Sequence, residues 1–286
     1  MSIARAVWQF GEPVHAVTYF APETRTATDE LGLKGGWMSY FGCRAAPLGA
    51  VGAPVVTTLF YNFAPPMVAR SIPDAWQYAS PAALVDARAG AIDRALRRLL
   101  GDDAVRSPEI ARAAELASAA VAGCDMAGRP IGAANQAVTA PDEPHLRLWQ
   151  ALTAIREYRG DGHVHCLVNA GVPPSHALVL QAATGRSAEQ ALRANRGWTD
   201  DEWAAATHAL TEQRLLDGDG RITVGGVELR QRIEDETDRL AAPITRAIGD
   251  SGAEELIGLL RPLAAAVMDG GAVPTINNMG VPWPPR

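Results

Sequence analysis

GWTDDEWAAATHALTEQRLLDGDGRITVGGVELRQRIEDETDRL, residues 197–240, is the stretch whose reading decides the fold. Thr199 and Glu202 stand three apart, the capping-box spacing that opens a helix, and Trp203, Ala206, Leu210 and Leu215 recur on one face of it. Asp217-Gly218-Asp219-Gly220 is hairpin-turn chemistry, and Arg221 to Val224 suits a short strand. Gly225-Gly226 then leads into a long charged helix through Leu240. Helix, small β wing, long helix is the expectation.

The preceding stretch, Arg156 to Gln181 (REYRGDGHVHCLVNAGVPPSHALVLQ), concentrates charge, histidine and turn residues in an otherwise apolar, alanine-rich sequence. A helix from about His145 to Tyr158 enters it. Asp161, between two glycines, suits a cap for a short helix carrying Val164, Leu167 and Val168. Gly171 is placed to end that helix, and Pro173-Pro174 to open the next. The same residues carry chemistry. Asp161 and His163 are close enough in sequence for the carboxylate to orient the imidazole or raise its pKa, the pairing acid–base catalysis needs near neutral pH. Both readings hold at this point.

The first segment, His15 to Trp76, is aromatic. Pro22 opens a helix ending at Gly32. Trp37, Tyr40, Phe41 and Arg44 then share one helical face, and Val55 to Phe63 forms a third short helix. Core packing accounts for such a stripe, but His15, Arg44, Tyr61 and Asn62 are costly to bury unless they pair with each other or with a ligand. A pocket wall is the alternative. Ser80-Pro81 and Ser107-Pro108 each cap a helix, ended by Gly101 and Gly123. Ser251 and Glu254 cap a last helix to about Met268. Turn residues over 126–144 read as a linker between an N-terminal half, 1–125, and a winged-helix-like half, 145–270, with a proline-rich tail, 271–286.

LLDGDGRITVGGVELRQRIEDETDRLAAP resembles the wing and following helix of MarR-type winged-helix proteins, whose long helix forms dimers. RGDGHV, HAVTYFAPE, WMSYFGCRAAPLGAV and FYNFAP together resemble an actinobacterial helix-turn-helix family of largely unknown function, met near secondary-metabolite genes. These resemblances imply a mainly α fold built on winged-helix and helix-turn-helix elements with a small β wing. Arg44 before a Pro-Leu-Gly turn and Arg159 before a Gly-Asp-Gly turn, each followed by helices, point to a duplicated unit.

The chain of 286 residues, 48% hydrophobic and 20% charged, is ordinary for a globular protein. With no run of about 18 apolar residues and no signal-peptide core after Met1, a cytoplasmic location without membrane contact is expected. Cys43, Cys124 and Cys166, odd in number and widely spaced, read as reduced thiols. His163, His165 and Cys166 supply no complete ligand set without a distant partner such as His15, His176 or Cys43, so neither metal nor other cofactor is expected. No Walker loop, Rossmann fingerprint, GxSxG elbow or HExxH occurs.

A net charge of −6 and the acidic start of the helix before the wing (Asp200, Asp201, Glu202), with Asp217 and Asp219 at the wing, disfavour DNA as a partner. The favoured function is binding of a small aromatic or polyketide-like metabolite in a cleft between the halves. His15, Trp37, Tyr40, Phe41, Arg44, Tyr61, Asn62, Arg159 and His165 would line it, with Asp161 and His163 as the acid–base pair. If it catalyses, the chemistry is proton transfer of the isomerase, lyase or cyclase kind. A MarR-like ligand-responsive transcriptional regulator, with a homodimer through the long helix, is the alternative.

Overall fold

A computed structural model describes residues 2–139, 141–185, 187–275, 277, 279 and 283–284. Fifteen α-helices occur among them, and the fold is mainly α. The first half comprises α1 (Ile3–Phe20), α2 (Pro22–Glu30), α3 (Gly35–Ala45), α4 (Ala53–Leu59), α5 (Pro65–Ala69), α6 (Ala75–Tyr78), α7 (Pro81–Leu100) and α8 (Pro108–Ala122). The starts follow local chemistry. Ser80 and Ser107 accept the backbone N–H three residues on, each followed by proline at the first helical position.

After α9 (Pro130–Gln136), the helix α10 (Pro144–Asn169) runs through the centre. It packs against α1, α7, α8, α9 and α14, so its apolar residues face all round, as Leu148, Trp149, Leu152 and Ile155 show by their burial. The winged unit follows: α11 (Pro174–Ala183), α12 (Glu189–Arg196), α13 (Asp200–Glu212), a wing, α14 (Val224–Arg246) and α15 (Gly249–Asp269).

Three apolar clusters hold these elements. The largest joins the two ends of the chain: Val7, Phe10 and Val14 of α1, Leu152 and Ile155 of α10, and Leu256 and Leu260 of α15 belong to one core. A second is aromatic, with Phe41 and Phe63 ring centroids 4.9 Å apart. The third binds the winged unit through Leu178, Leu192, Trp203, Leu210 and Ile233. A helix, three shorter ones and then a long helix follow in order both in α3–α7 and in α10–α14, although α3 has 11 residues against 26 in α10.

Four local expectations are corrected. The RGDG turn does not break the chain: Asp161 lies inside α10, and the helix that was to begin there is its continuation. The physical reason is tertiary. Arg129 crosses α10 so closely that a Cβ on Gly162 would lie 2.1 Å from its Nη1, so glycine here admits a guanidinium instead of turning the chain. That guanidinium donates to Tyr158 O at 2.7 Å and Leu240 O at 3.0 Å. The 126–144 stretch is not bare linker, because α9 packs on α10 and buries Ile131 and Asn135. The wing strand shrinks to one antiparallel bridge, Leu216 with Ile222. The last helix starts at Gly249, ahead of Ser251. The 271–286 tail falls partly outside the described residues, although Val273 and Asn277 are buried.

The capping box at Thr199 is formed, with Thr199 Oγ1 accepting from Glu202 N at 3.2 Å and Glu202 Oε2 accepting from Thr199 N at 2.9 Å. The turn before it needs Gly197. Its φ is +77°, and an added Cβ would stand 2.6 Å from Met67 Cβ in the first half. The turn between α12 and α13 is therefore seated directly on α5.

Candidate ligand cleft between the halves

Glu157 of α10 sits at the centre of a buried ion network. Arg44 of α3 holds it bidentately, Nε to Oε1 at 2.8 Å and Nη2 to Oε2 at 3.0 Å, and Arg156 Nη1 donates to Oε2 at 2.7 Å. Burial would raise the Glu157 pKa, but Arg156 and Arg44 outweigh it and hold the carboxyl well below its ordinary value. Glu12 of α1 accepts from Trp8 Nε1 at 2.9 Å and lies 3.5 Å from Arg156 Nε. Burial pushes its pKa up against the opposing pull of Arg156. Two acids face two guanidiniums. Arg44 also lies 4.0 Å from the Phe60 ring centroid and donates to Tyr40 Oη at 3.0 Å.

Beside this network a cavity of about 200 Å³ opens between the halves. Tyr40, Arg44 and the Leu59–Phe63 segment form the first-half wall, and Arg159, Gly160, His163, Arg196 and Glu234 belong to the second. Three hydrogen bonds tie the loop after α4 across it. Tyr61 Oη donates to Val172 O at 2.7 Å, Trp198 Nε1 donates to Asn62 O at 2.9 Å, and Ala64 N donates to Arg196 O at 2.8 Å. Tyr61 holds φ +28°, a strained value for a tyrosine that these bonds sustain.

Arg159 donates from Nη2 to Asp238 Oδ1 at 2.8 Å and to Glu234 Oε2 at 3.2 Å, with its guanidinium 4.5 Å from the Trp8 ring centroid. His163 meets Thr237 Oγ1 at 3.0 Å through Nδ1. The Thr237 hydroxyl donates to Ile233 O at 2.7 Å, so its oxygen accepts from His163 Nδ1–H and the imidazole keeps Nε2 as its acceptor. Burial first, then Arg159 and Arg230, lower the His163 pKa to about 4 against the opposing pull of Glu234. In the cleft Glu12 and Glu157 face Arg44 and Arg156, and Glu234 with Asp238 faces Arg159.

Of the residues expected on the wall, Tyr40, Arg44, Tyr61, Asn62, Arg159 and His163 meet in this cleft. The others do not. Phe41 is fully buried in the aromatic core, and Trp37 lies at that core's exposed edge, 5.9 Å from Phe63. His165 is exposed next to Gly128. His15 is buried between α1 and α10, bonded to Thr153 Oγ1 at 3.0 Å and Tyr19 Oη at 3.1 Å.

The Asp161–His163 pairing is likewise corrected. On a helix, residues two apart point to different sides. Asp161 Oδ2 turns to α9, accepting Ile131 N at 3.0 Å and Gly132 N at 2.9 Å as a cap supplied from another helix. Burial raises its pKa to about 6 in spite of those two donors. The cleft residues that sequence reasoning missed are Trp8, Glu12, Arg156, Glu157, Arg196 and Glu234. The signal for some was there: Arg156, Glu157 and Arg159 are a charge run inside a helix apolar on every side.

Among the described residues, no three His, Cys, Asp or Glu side chains gather as metal ligands, and no helix is long and apolar enough to cross a membrane. All three cysteines are free and buried, and burial pushes the Cys43 and Cys124 thiols up to about 11 each.

Four of the five carboxylates at the start of α13 and in the wing have local partners. Asp200 pairs with Arg193 and Asp219 with Arg221. Glu202 caps its own helix, and Asp217 Oδ1 accepts the backbone N–H of Asp219 at 2.9 Å and of Arg221 at 2.8 Å. Residues 4–274 match the family model of a helix-turn-helix family, and the chain belongs to that family. No curated protein and no solved structure matches it. The expectation that DNA is disfavoured as a partner is overturned by this membership. It rested on formal charge, which overstates the repulsion of carboxylates already paired or capping.

Proposed function

We propose that this chain, as a member of the helix-turn-helix family, is a ligand-responsive DNA-binding protein whose small molecule sits in the cleft between its halves. One observation carries the reading. The loop that walls the cleft is bonded to the α12–α13 pair, which we read as the helix-turn-helix, at Arg196, the last residue of α12, and at Trp198 in the turn before α13. A ligand that moves Tyr61 and Asn62 must therefore move, or hold still, the helix that would lie on DNA. A difference in ligand affinity between two dispositions of that loop is all that coupling requires.

The lining indicates the ligand class. Trp8, Tyr40, Phe60 and Tyr61 offer aromatic faces, and Arg159 Nε and Asn62 Oδ1 are buried there without a hydrogen-bond partner among the described residues. A planar aromatic or polyketide-like molecule with an acidic or phenolic group meets these demands. Binding is favoured over catalysis. A histidine with a pKa near 4 is a weak general base at neutral pH, and the nearest carboxylate in sequence caps another helix.

The test has two arms. Duplexes are selected from a random pool by the purified protein, and an aromatic and polyketide metabolite panel is screened by thermal shift. The expected result is an enriched duplex whose affinity changes when a panel member binds, with the thermal shift lost in Asn62→Ala. Enrichment of no duplex in either state would sink the regulator reading, and a panel without any shift would sink the cleft.

A further inference from the structure

A second cavity, of about 140 Å³, lies on the other side of the Arg44–Glu157 pair, and Tyr40, Arg44 and Glu157 line both spaces. Phe20 and Gly36 are exposed at its rim, while Arg88 of α7, Asn135 of α9 and Thr153 of α10 are buried in its lining. Its size is that of a dry cavity able to hold a benzene ring.

Among the described residues, no hydrogen-bond partner meets Arg88 Nε, Asn135 Oδ1 or Thr24 Oγ1 in its lining, on residues 4%, 2% and 6% exposed. Arg88 is the anomaly. It donates to Cys43 O at 3.2 Å and Gln150 Oε1 at 3.3 Å, and no carboxylate among the described residues pairs with it. A buried guanidinium is costly without a counter-charge. The neighbouring set cannot help, since Glu12 and Glu157 already face Arg44 and Arg156. Burial accordingly pulls the Arg88 pKa below the ordinary arginine value.

His15 is no substitute cation. Thr153 Oγ1 donates to Trp149 O at 2.8 Å, so it accepts from His15 Nδ1–H, and Tyr19 Oη donates to Nε2. Burial, seconded by Arg156, holds that imidazole neutral. Asn135 is equally fixed. Its Nδ2 donates to Ile131 O at 3.0 Å, which leaves Oδ1 as an acceptor that requires an O–H or N–H. The aromatic wall is Tyr19 and Tyr40, with ring centroids 5.1 Å apart.

We propose that this cavity is a binding site for a small aromatic hydroxy acid, a monoanion whose carboxylate is received by Arg88, whose hydroxyl serves Asn135, and whose ring lies against Tyr19 and Tyr40. The anion supplies the missing counter-charge, and the hydroxyl supplies the missing donor. This site does not depend on the cleft or on DNA, because Arg88 and Asn135 line only the second cavity.

Titration calorimetry of the full chain with the three hydroxybenzoate isomers, benzoate and the corresponding hydroxybenzamides tests it. At least one hydroxybenzoate should saturate one site, its neutral amide should bind roughly tenfold more weakly or worse, and benzoate should fall between. Arg88→Met should abolish binding without a large loss of thermal stability, because the removal of a buried cation that lacks a counter-charge offsets the loss of its bonds to Cys43 O and Gln150 Oε1. If that variant does not fold, Asn135→Leu decides, because it removes the acceptor assigned to the ligand hydroxyl: the hydroxybenzoate should lose its advantage over benzoate, and an unchanged advantage would overturn the proposal. Equal affinity for acid and amide, no saturable binding across the set, or a folded Arg88→Met that binds as wild type would each overturn the proposal.

Discussion

Replacing Glu157 by glutamine removes one charge from a buried set of four and leaves Arg44 and Arg156 facing Glu12 alone. The Glu157 side chain is 1% exposed, so water cannot restore the balance. Removing one partner of a buried ion pair costs about 3–5 kcal/mol. Against a total stability of roughly 5–15 kcal/mol, that is a large fraction. At about 2–4 °C per kcal/mol for chains of this size class, the midpoint should fall by roughly 6–20 °C. The assay is thermal unfolding followed by circular dichroism, repeated in urea at neutral and acid pH.

The acid arm has a definite sign. Glu157 has a folded pKa below its ordinary value of 4.5, so its contribution is present above that value and is lost as pH falls toward the folded pKa. Wild type should lose stability on acidification below about pH 4.5, and Glu157→Gln should lose less. The double variant Arg44→Met/Glu157→Leu, which fills the space with apolar atoms, should recover much of the loss. A Glu157→Gln protein within about 0.5 kcal/mol of wild type, the size of a surface substitution, would refute the buried-network reasoning.

Three further outcomes are expected. Asp161→Asn keeps an acceptor for the α9 cap but cannot ionise. Because the wild-type carboxyl has a folded pKa near 6 against an ordinary 3.8, the stability of wild type relative to the variant should decline as pH rises through that interval, as the difference in urea midpoints across the range would show. Gly162→Ala should drive Arg129 out of its groove and raise hydrogen exchange in 130–136, and unchanged exchange there would contradict the close approach. Tyr61→Phe removes one cross-half bond and should cost about 0.5–1.5 kcal/mol in urea unfolding, whereas a neutral effect would mean that the Val172 contact holds nothing.

Much of the helical framework was legible because its signals are local. Ser80-Pro81, Ser107-Pro108, Pro22 and the Thr199–Glu202 box announce starts by chemistry within one turn of backbone, and helices begin there. The RGDG stretch misled for the opposite reason. Its second glycine, Gly162, answers to Arg129, which arrives from thirty-odd residues upstream, and Asp161 serves α9 instead of its own helix. Tyr40, Arg44, Tyr61 and Asn62 could be grouped because polar residues among aromatics need partners. Glu12 and Glu157 could not be, since their pairing depends on how α1 and α10 cross. Formal charge misjudged the DNA side because it cannot distinguish a free carboxylate from one that caps a helix.

The most direct test of the proposed coupling is a closed thermodynamic cycle on wild-type protein. The affinity for a selected duplex is measured with and without saturating cleft ligand, and the ligand affinity with and without duplex. If the Leu59–Phe63 wall transmits through Arg196 and Trp198, both ratios should agree and lie at roughly 5–150-fold. Two affinities each indifferent to the other partner would contradict it.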